Sequence, residues 1–277
     1  MGETARVIPL LRACHFQPTV AVTAIATTLA VSVGRGVGSA WVALAVLAGQ
    51  LSVGWSNDYL DRDRDRFAGR TDKPIVAGQV SARTVGVGAV IAALACVPLS
   101  MMSGWRAGSV HLAAVAGAWA YNGWLKSTIA SVVPFSFAFG VLPAFVTLGL
   151  PGHPWPPAWV ALAAGLMGTG AHFVNTLPDF AGDADSGIRG LPHRVGPRGS
   201  LLLGFVSMAA ATAVLAVAPS NGAGLLDSVL VVAASTAVLA VVVAGLTHRL
   251  RVAWSLTLCA AALNVAVFVT RGGSLTL

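Results

Sequence analysis

The chain has 277 residues, of which 56% are hydrophobic and only 10% charged, and its mean hydropathy is +0.79. A soluble domain carries about 25% charged residues, so the composition excludes a soluble globular enzyme. It describes an all-α polytopic membrane protein, read as one domain over residues 1–277. The formal net charge of +7 fits basic loops facing the cytoplasm. No nucleic-acid-binding motif accompanies that charge, so no nucleic-acid partner is expected. Cys14, Cys96 and Cys259 lie far apart in or beside apolar segments, without the spacing of a disulfide framework or a zinc site. Arg6, Pro9 and Arg12 interrupt the opening before the first long apolar run, which is not the form of a signal peptide.

In chain order, nine apolar stretches stand out, at roughly 16–34, 39–57, 84–103, 107–125, 130–150, 157–177, 199–218, 226–246 and 252–270. Each is near the ~20 residues a helix needs to cross a ~30 Å hydrocarbon core. Helices are the expected element, since no alternating ten-residue strands are visible and every backbone group must be satisfied in lipid. Gly, Ala and Ser recur inside the stretches, as close helix packing in a bilayer requires. With the N-terminus placed in the cytoplasm, 14 of the 17 Lys and Arg residues fall on that side. Only Arg35, Arg106 and Arg271 fall outside. This asymmetry predicts an N-in, C-out topology. The expected location is the cytoplasmic membrane of a prokaryote. The stretch Pro151-Gly152-His153-Pro154-Trp155-Pro156-Pro157 reads as an outer turn with an interfacial Trp.

Eight of the ten acidic residues form two clusters. The first runs Asn57-Asp58-Tyr59-Leu60-Asp61-Arg62-Asp63-Arg64-Asp65 and is followed by Asp72; the second runs Asp179-Phe180-Ala181-Gly182-Asp183-Ala184-Asp185. They follow the second and sixth stretches, so both fall on the cytoplasmic side, in loops of about 58–83 and 178–198 that are expected to form a cap over a site. Asp58, Asp61 and Asp65 are spaced i, i+3, i+7 and share one helical face, bordered by Asn57. Asp179 and Asp183, at i, i+4, share another, with Asn175 one turn below and His172 about one turn below that. Carboxylates beside membrane spans are functional by default. Mg2+ prefers a few carboxylates, waters and substrate phosphate oxygens, so two such faces with Lys and Arg nearby suit a metal-bridged diphosphate. The blander reading, helix-end acids paired with neighbouring arginines, is favoured for Asp63 and Asp185, which lie off the two faces.

The first cluster resembles the NDxxDxxxD motif of the UbiA superfamily of intramembrane prenyltransferases, and Asp179–Asp183 resembles its DxxxD motif. Three further stretches agree in order and spacing: Arg70-Thr71-Asp72-Lys73-Pro74-Ile75-Val76-Ala77-Gly78, Tyr121-Asn122-Gly123-Trp124-Leu125-Lys126 and Gly187-Ile188-Arg189-Gly190-Leu191-Pro192-His193-Arg194-Val195-Gly196. The resemblance implies nine transmembrane helices around a central cavity under a cytoplasmic cap. It also implies transfer of a prenyl group from an allylic diphosphate to an acceptor. By position, Asn57, Asp58, Asp61, Asp65, Asp179 and Asp183 match the family's Mg2+ and diphosphate residues. Lys73, Lys126 and Arg189 match its basic diphosphate contacts, and Tyr121 a cavity tyrosine. Asn175 is added as a substrate-binding candidate. Where many relatives carry an Arg-Pro pair, this chain has Arg12-Ala13-Cys14-His15-Phe16-Gln17-Pro18, a departure that counts against the aromatic-carboxylate subclass; Arg12, His15 and Gln17 are candidates to meet an acceptor, and Arg12 equally fits a membrane-interface role.

The chemistry of the residues agrees with the resemblance. Diphosphate leaves readily once its developing charge is neutralised by Mg2+, Lys and Arg. An apolar cavity then shields the allylic cation from water, and a small aromatic or quinone-type acceptor attacks it. Two candidates for the base stay open: an aspartate of the second cluster, or His172, which also fits a structural hydrogen bond between helices. A terpene cyclase that quenches the same cation internally is the alternative. An ion or organic-anion transporter fits less well, because transporter sites lie near the bilayer midplane.

Overall fold

The computed structural model describes residues 4–177, 180, 187–219, 224–271 and 274–276. Among the described residues all regular structure is helical. A short amphipathic helix, α1 (Thr4–Ala13), precedes nine longer ones: α2 (Phe16–Ser32), α3 (Gly38–Phe67), α4 (Ala82–Met101), α5 (Trp105–Gly123), α6 (Val133–Thr147), α7 (Ala158–Asn175), α8 (Leu191–Val217), α9 (Leu225–Leu246) and α10 (Leu250–Thr270). Two 3-10 turns, Leu125–Ser127 and Ile129–Val132, join α5 to α6.

Each of the nine long helices packs on the next, and α10 returns to α2, so the helices close into a ring. Helix α10 also touches α7 and α8, and α2 touches α6. Five segments are long and apolar enough to cross a membrane: Gly38–Phe67, Ala82–Met101, Ile129–Thr147, Leu191–Val217 and Leu225–Leu246. Their outward faces are greasy. On α4, Val87, Val90, Ile91, Leu94 and Val97 are exposed at helical spacing, the pattern of a surface solvated by lipid rather than water. The inside is built from small residues. Gly170 of α7 and Gly204 of α8 face each other so closely that a Cβ on Gly170 would stand 3.0 Å from the Gly204 carbonyl oxygen, the close backbone approach that replaces the hydrophobic effect in lipid.

The structure revises the expected cap. Residues 58–67 are not loop: α3 runs unbroken for 30 residues, about 45 Å at 1.5 Å per residue, and carries the whole first cluster on its last three turns. No Gly or Pro interrupts Asn57–Phe67, so nothing stops the helix before Ala68 and Gly69. The connection proper is 68–81, where Ile75 is buried with Ala13 and Val85 against Leu10, Trp55 and Tyr59. On the second side, α8 begins at Leu191, and Gly196 (φ 77°) followed by Pro197 kinks it into a short surface piece and a long apolar one. Helix α1 is an addition to the nine expected stretches. It is pinned to α3, since Trp55 Nε1 donates to the Leu10 carbonyl at 2.9 Å. Gly54 makes that approach possible, because a Cβ there would collide with the Cys14 carbonyl.

The opposite end is tied by a buried ion pair. Arg271, at the end of α10, donates to both oxygens of Asp227 in the first turn of α9, at 2.8 and 2.6 Å. Its third nitrogen reaches the carbonyls of Leu215 and Ala218 at the end of α8. Three helix ends therefore meet on one guanidinium.

Candidate active site at the acidic end of the bundle

Helical spacing on α3 turns Asp58 and Asp61 inward while Asp63 points away. Asp58 is 2% exposed and accepts a hydrogen bond from Lys73 Nζ at 2.7 Å, with His15 Nε2 at 3.2 Å. Asp61 is gripped through both oxygens by Lys126 Nζ, 2.6 Å from Oδ2, and paired with Arg64 at 3.1 Å. Asn57 Nδ2 bridges Asp61 (3.2 Å) and Asn122 Oδ1 (3.3 Å). Asp65, half-buried on the same face, accepts no side-chain hydrogen bond among the described residues. Asp63 is exposed and pairs with Arg62 and Arg66 at 3.3 Å each. Asp72 forms a two-point pair with Arg70, both bonds 3.0 Å, and those bonds hold its carboxyl below the ordinary range.

Each cation arrives from a different element. Lys73 comes from the α3–α4 connection. His15 sits in the left-handed conformation (φ 56°) where α1 turns into α2, and this turn sets its imidazole against Asp58. Lys126 is only 6% exposed, in the 3-10 turn after α5. Burial lowers its ammonium below the ordinary lysine range, and Asp61 opposes that shift. A buried ammonium facing a buried carboxylate is costly unless both are fully engaged, so this pair marks a place where charge is concentrated on purpose.

Below this charged layer lies an aromatic one. Tyr121 meets Phe135 edge-on at 5.1 Å and His172 edge-on at 5.8 Å, and Phe135 lies 4.7 Å from His172. Asn122, next to Tyr121, is buried and donates to Ser56 Oγ and the Val53 carbonyl, both at 2.9 Å, so α5 is fixed against the acidic face of α3. Arg189 is exposed; with Phe180, Ile188, His193 and Arg194 it lines a surface cleft, and its carbonyl accepts from Arg194 Nε at 3.0 Å. Asn175 is exposed at the last turn of α7. Asp179, Asp183 and Asp185 lie outside the described residues.

The structure thus brings together Asn57, Asp58, Asp61, Lys73 and Lys126, and sets Tyr121 just beneath. It adds His15, Asn122 and Arg64, which the motif reading did not place there. Asn122 stands in the Tyr121–Lys126 stretch and His15 among the candidates to meet an acceptor, with no signal in the sequence that either meets α3. The donor set on α3 is oxygen only, which fits Mg2+. Among the described residues no three His, Cys, Asp or Glu side chains converge as a metal site, because Asp58 and Asp61 are turned to lysines.

Comparison with known proteins gives a consistent picture. The profile of the UbiA prenyltransferase family matches residues 16–270. The "Bacteriochlorophyll synthase 33 kDa chain" of Cereibacter sphaeroides is 34% identical over 209 residues, 65% of this chain and 64% of that protein. The chain therefore spans a little under two thirds of that relative's length. The "4-hydroxybenzoate octaprenyltransferase" of Paraburkholderia phytofirmans is 31% identical over 139 residues, 48% of this chain and 47% of that protein. Among solved structures, the apo form of a UbiA homolog from Aeropyrum pernix K1 superposes with a TM-score of 0.74 at 19% identity, covering 91% of this chain and 96% of that one. A UbiA homolog from Archaeoglobus fulgidus bound to DMAPP and Mg2+ gives 0.69 at 17% identity, covering 96% and 98%. These structural likenesses establish the fold.

Proposed function

The chain belongs to the UbiA prenyltransferase family, and we propose that it transfers a prenyl group from an allylic diphosphate to a small aromatic or quinone-type acceptor within the membrane. The observation that supports this most is the pairing of a buried acidic face on α3 with two lysines from separate connections, directly above an aromatic layer. Oxygen donors and ammonium groups together suit a diphosphate; aromatic rings suit the cation left behind.

In this reading Asn57, Asp58, Asp61 and Asp65, with Asp179 and Asp183, would hold Mg2+, which would supply charge neutralisation of the leaving diphosphate. Lys73, Lys126 and Arg189 bind the diphosphate oxygens, and Asn175 lies at the same mouth. Breaking the C–O bond moves an electron pair onto diphosphate, and the lysines stabilise that charge as it develops. Tyr121 and Phe135 exclude water from the allylic carbon and face it with π density. The whole chain acts as one domain of nine spans, N-in and C-out, in the cytoplasmic membrane, so the charged layer opens to the side where soluble diphosphates are made. The name of the relative called 4-hydroxybenzoate octaprenyltransferase supports an aromatic acceptor.

The test is incubation of membranes holding the full chain with radiolabelled dimethylallyl, geranyl and longer prenyl diphosphates, with Mg2+ or EDTA, and with 4-hydroxybenzoate and other phenolic and quinol acceptors. Label should move to an acceptor only when Mg2+ is present. Equal turnover in EDTA, or no consumption of any prenyl diphosphate, overturns the proposal.

A further inference from the structure

His172 of α7 is 1% exposed, and its two nitrogens have unequal fates. Nε2 lies 3.2 Å from Ser131 Oγ, and that hydroxyl oxygen accepts the Leu191 N–H at 2.9 Å. Nδ1 is buried with no hydrogen-bond partner among the described residues. A tie between helices needs one polar contact, and a buried polar atom left unpaired keeps its desolvation penalty.

The location gives the unpaired nitrogen a use. The imidazole is flanked by Tyr121 and Phe135. Its partner Ser131 stands beside Lys126, because both crowd Gly190: a Cβ there would fall 3.0 Å from Ser131 Oγ and 2.5 Å from the Lys126 carbonyl oxygen. Lys126 in turn grips Asp61. Ser131 thus links His172 to the connection that carries Lys126, and a prenyl chain whose diphosphate is held by Lys126 would lead toward the aromatic layer around His172.

We propose that His172, through Nδ1, takes the proton released when the prenyl cation is quenched, with Ser131 as the residue that positions the ring. This rests on the prenyl-transfer reading above. When Nε2–H donates to Ser131 Oγ, Nδ1 presents its lone pair. Heterolysis leaves the C–O electron pair on diphosphate. The π electrons of the acceptor form the new bond to the allylic carbon, and the electrons of the acceptor's C–H or O–H bond restore its neutral π system as the proton passes to Nδ1. The same Nε2–H···Oγ bond holds the imidazolium that results. No oxidant or reductant is involved.

The experiment needs no knowledge of the natural acceptor. The purified full chain is given geranyl diphosphate and Mg2+ alone, and hydrocarbon and alcohol products are separated. A cation beside a base loses a proton to give acyclic trienes, whereas water capture gives alcohols. The wild type should form trienes. His172→Gln keeps a polar contact for Ser131 but supplies no base; it should shift the triene-to-alcohol ratio about tenfold or more toward alcohol while geranyl diphosphate is consumed within about threefold of the wild-type rate. Ser131→Ala, a milder change, should shift the ratio the same way by less. An unchanged ratio in either folded variant, or a wild type that yields alcohols only, overturns the role of His172. A wild type that consumes none of the dimethylallyl, geranyl or longer prenyl diphosphates with Mg2+, with or without the acceptor panel, sinks the prenyl-transfer reading, and this inference with it.

Discussion

Asp61 and Asp63 are two residues apart on α3 and live in opposite surroundings. Asp61 is covered and held by Lys126, Arg64 and Asn57; Asp63 is in solvent between two arginines. Replacing Asp61 by Asn should lower Mg2+-dependent turnover of geranyl diphosphate about 100-fold or more, the scale of losing one placed electrostatic group. Asp63→Asn should stay within about twofold, as exposed pairs contribute little. An inverted ranking in a steady-state assay would mean that the acidic face is not the site. Lys126 allows a finer test. A lysine kept only as a cytoplasmic marker tolerates Arg, which preserves the charge. A lysine that contacts diphosphate from a tight 3-10 turn does not, because a planar fork replaces a compact ammonium. Lys126→Arg should weaken binding of a non-hydrolysable prenyl diphosphate and Lys126→Gln should weaken it further; normal affinity in both rules out the contact. Much of this face was legible from spacing alone, because i, i+3, i+7 on an unbroken helix leaves no choice of side. His15 and Asn122 were not, because their partners lie 43 and 65 residues away in sequence, and only packing brings them to α3.

At the scale of elements, the apolar stretches located the nine long helices to within a few residues at most ends, since a run of about 20 apolar residues has few alternatives. The ends that differ share a cause. Hydropathy falls at the start of the first cluster, yet charge does not stop a helix; missing backbone partners, Gly or Pro do. Helix α3 therefore continues through four aspartates and three arginines to Phe67. Helix α1 is hidden from a hydropathy reading because Pro9 and two arginines break its apolar run, although docking on Trp55 and Gly54 supplies what the run lacks. The Asp227–Arg271 tie is likewise invisible as a pair, since 44 residues separate its members. Its strength is testable. Both side chains are buried, so Asp227→Ala strands a guanidinium among helix ends and should destabilise the bundle by about 3–5 kcal/mol. The midpoint of thermal unfolding in detergent should fall accordingly, while turnover by the folded fraction at low temperature stays near wild type, because the pair sits at the end of the bundle away from Asp58. An unchanged midpoint would mean that the pair is dispensable.

The whole molecule has two unlike ends, and this asymmetry argues for one orientation. At one end lie Asp58, Asp61, Lys73 and Lys126 with the 68–81 and 124–132 connections and Gly190; at the other lie Arg35, bound to Ser103 at 2.9 Å, and the Asp227–Arg271 tie. The proposed N-in, C-out arrangement of nine spans requires consecutive helices to alternate in direction, so in that arrangement fixing one connection fixes all. The basic residues crowd the acidic end, and such loops stay in the cytoplasm. Single-cysteine labelling can decide this, with the probe sites chosen from the backbone. Gly69 and Gly152 are poor choices, because their φ values of +66° and +80° would strain a cysteine. Ala77 and Val37 are exposed, near cysteine in size, and lie in connections at opposite ends. Val37 has φ −58°, which a cysteine adopts without strain. In a background with Cys14, Cys96 and Cys259 replaced, a membrane-impermeant maleimide applied to intact cells should label Val37→Cys and leave Ala77→Cys untouched until the cells are opened. The reverse pattern would put the charged layer outside, away from the cytoplasmic pool of prenyl diphosphates. Labelling of both sites from one face would break the alternation itself, and with it the nine-span arrangement on which the site's position depends.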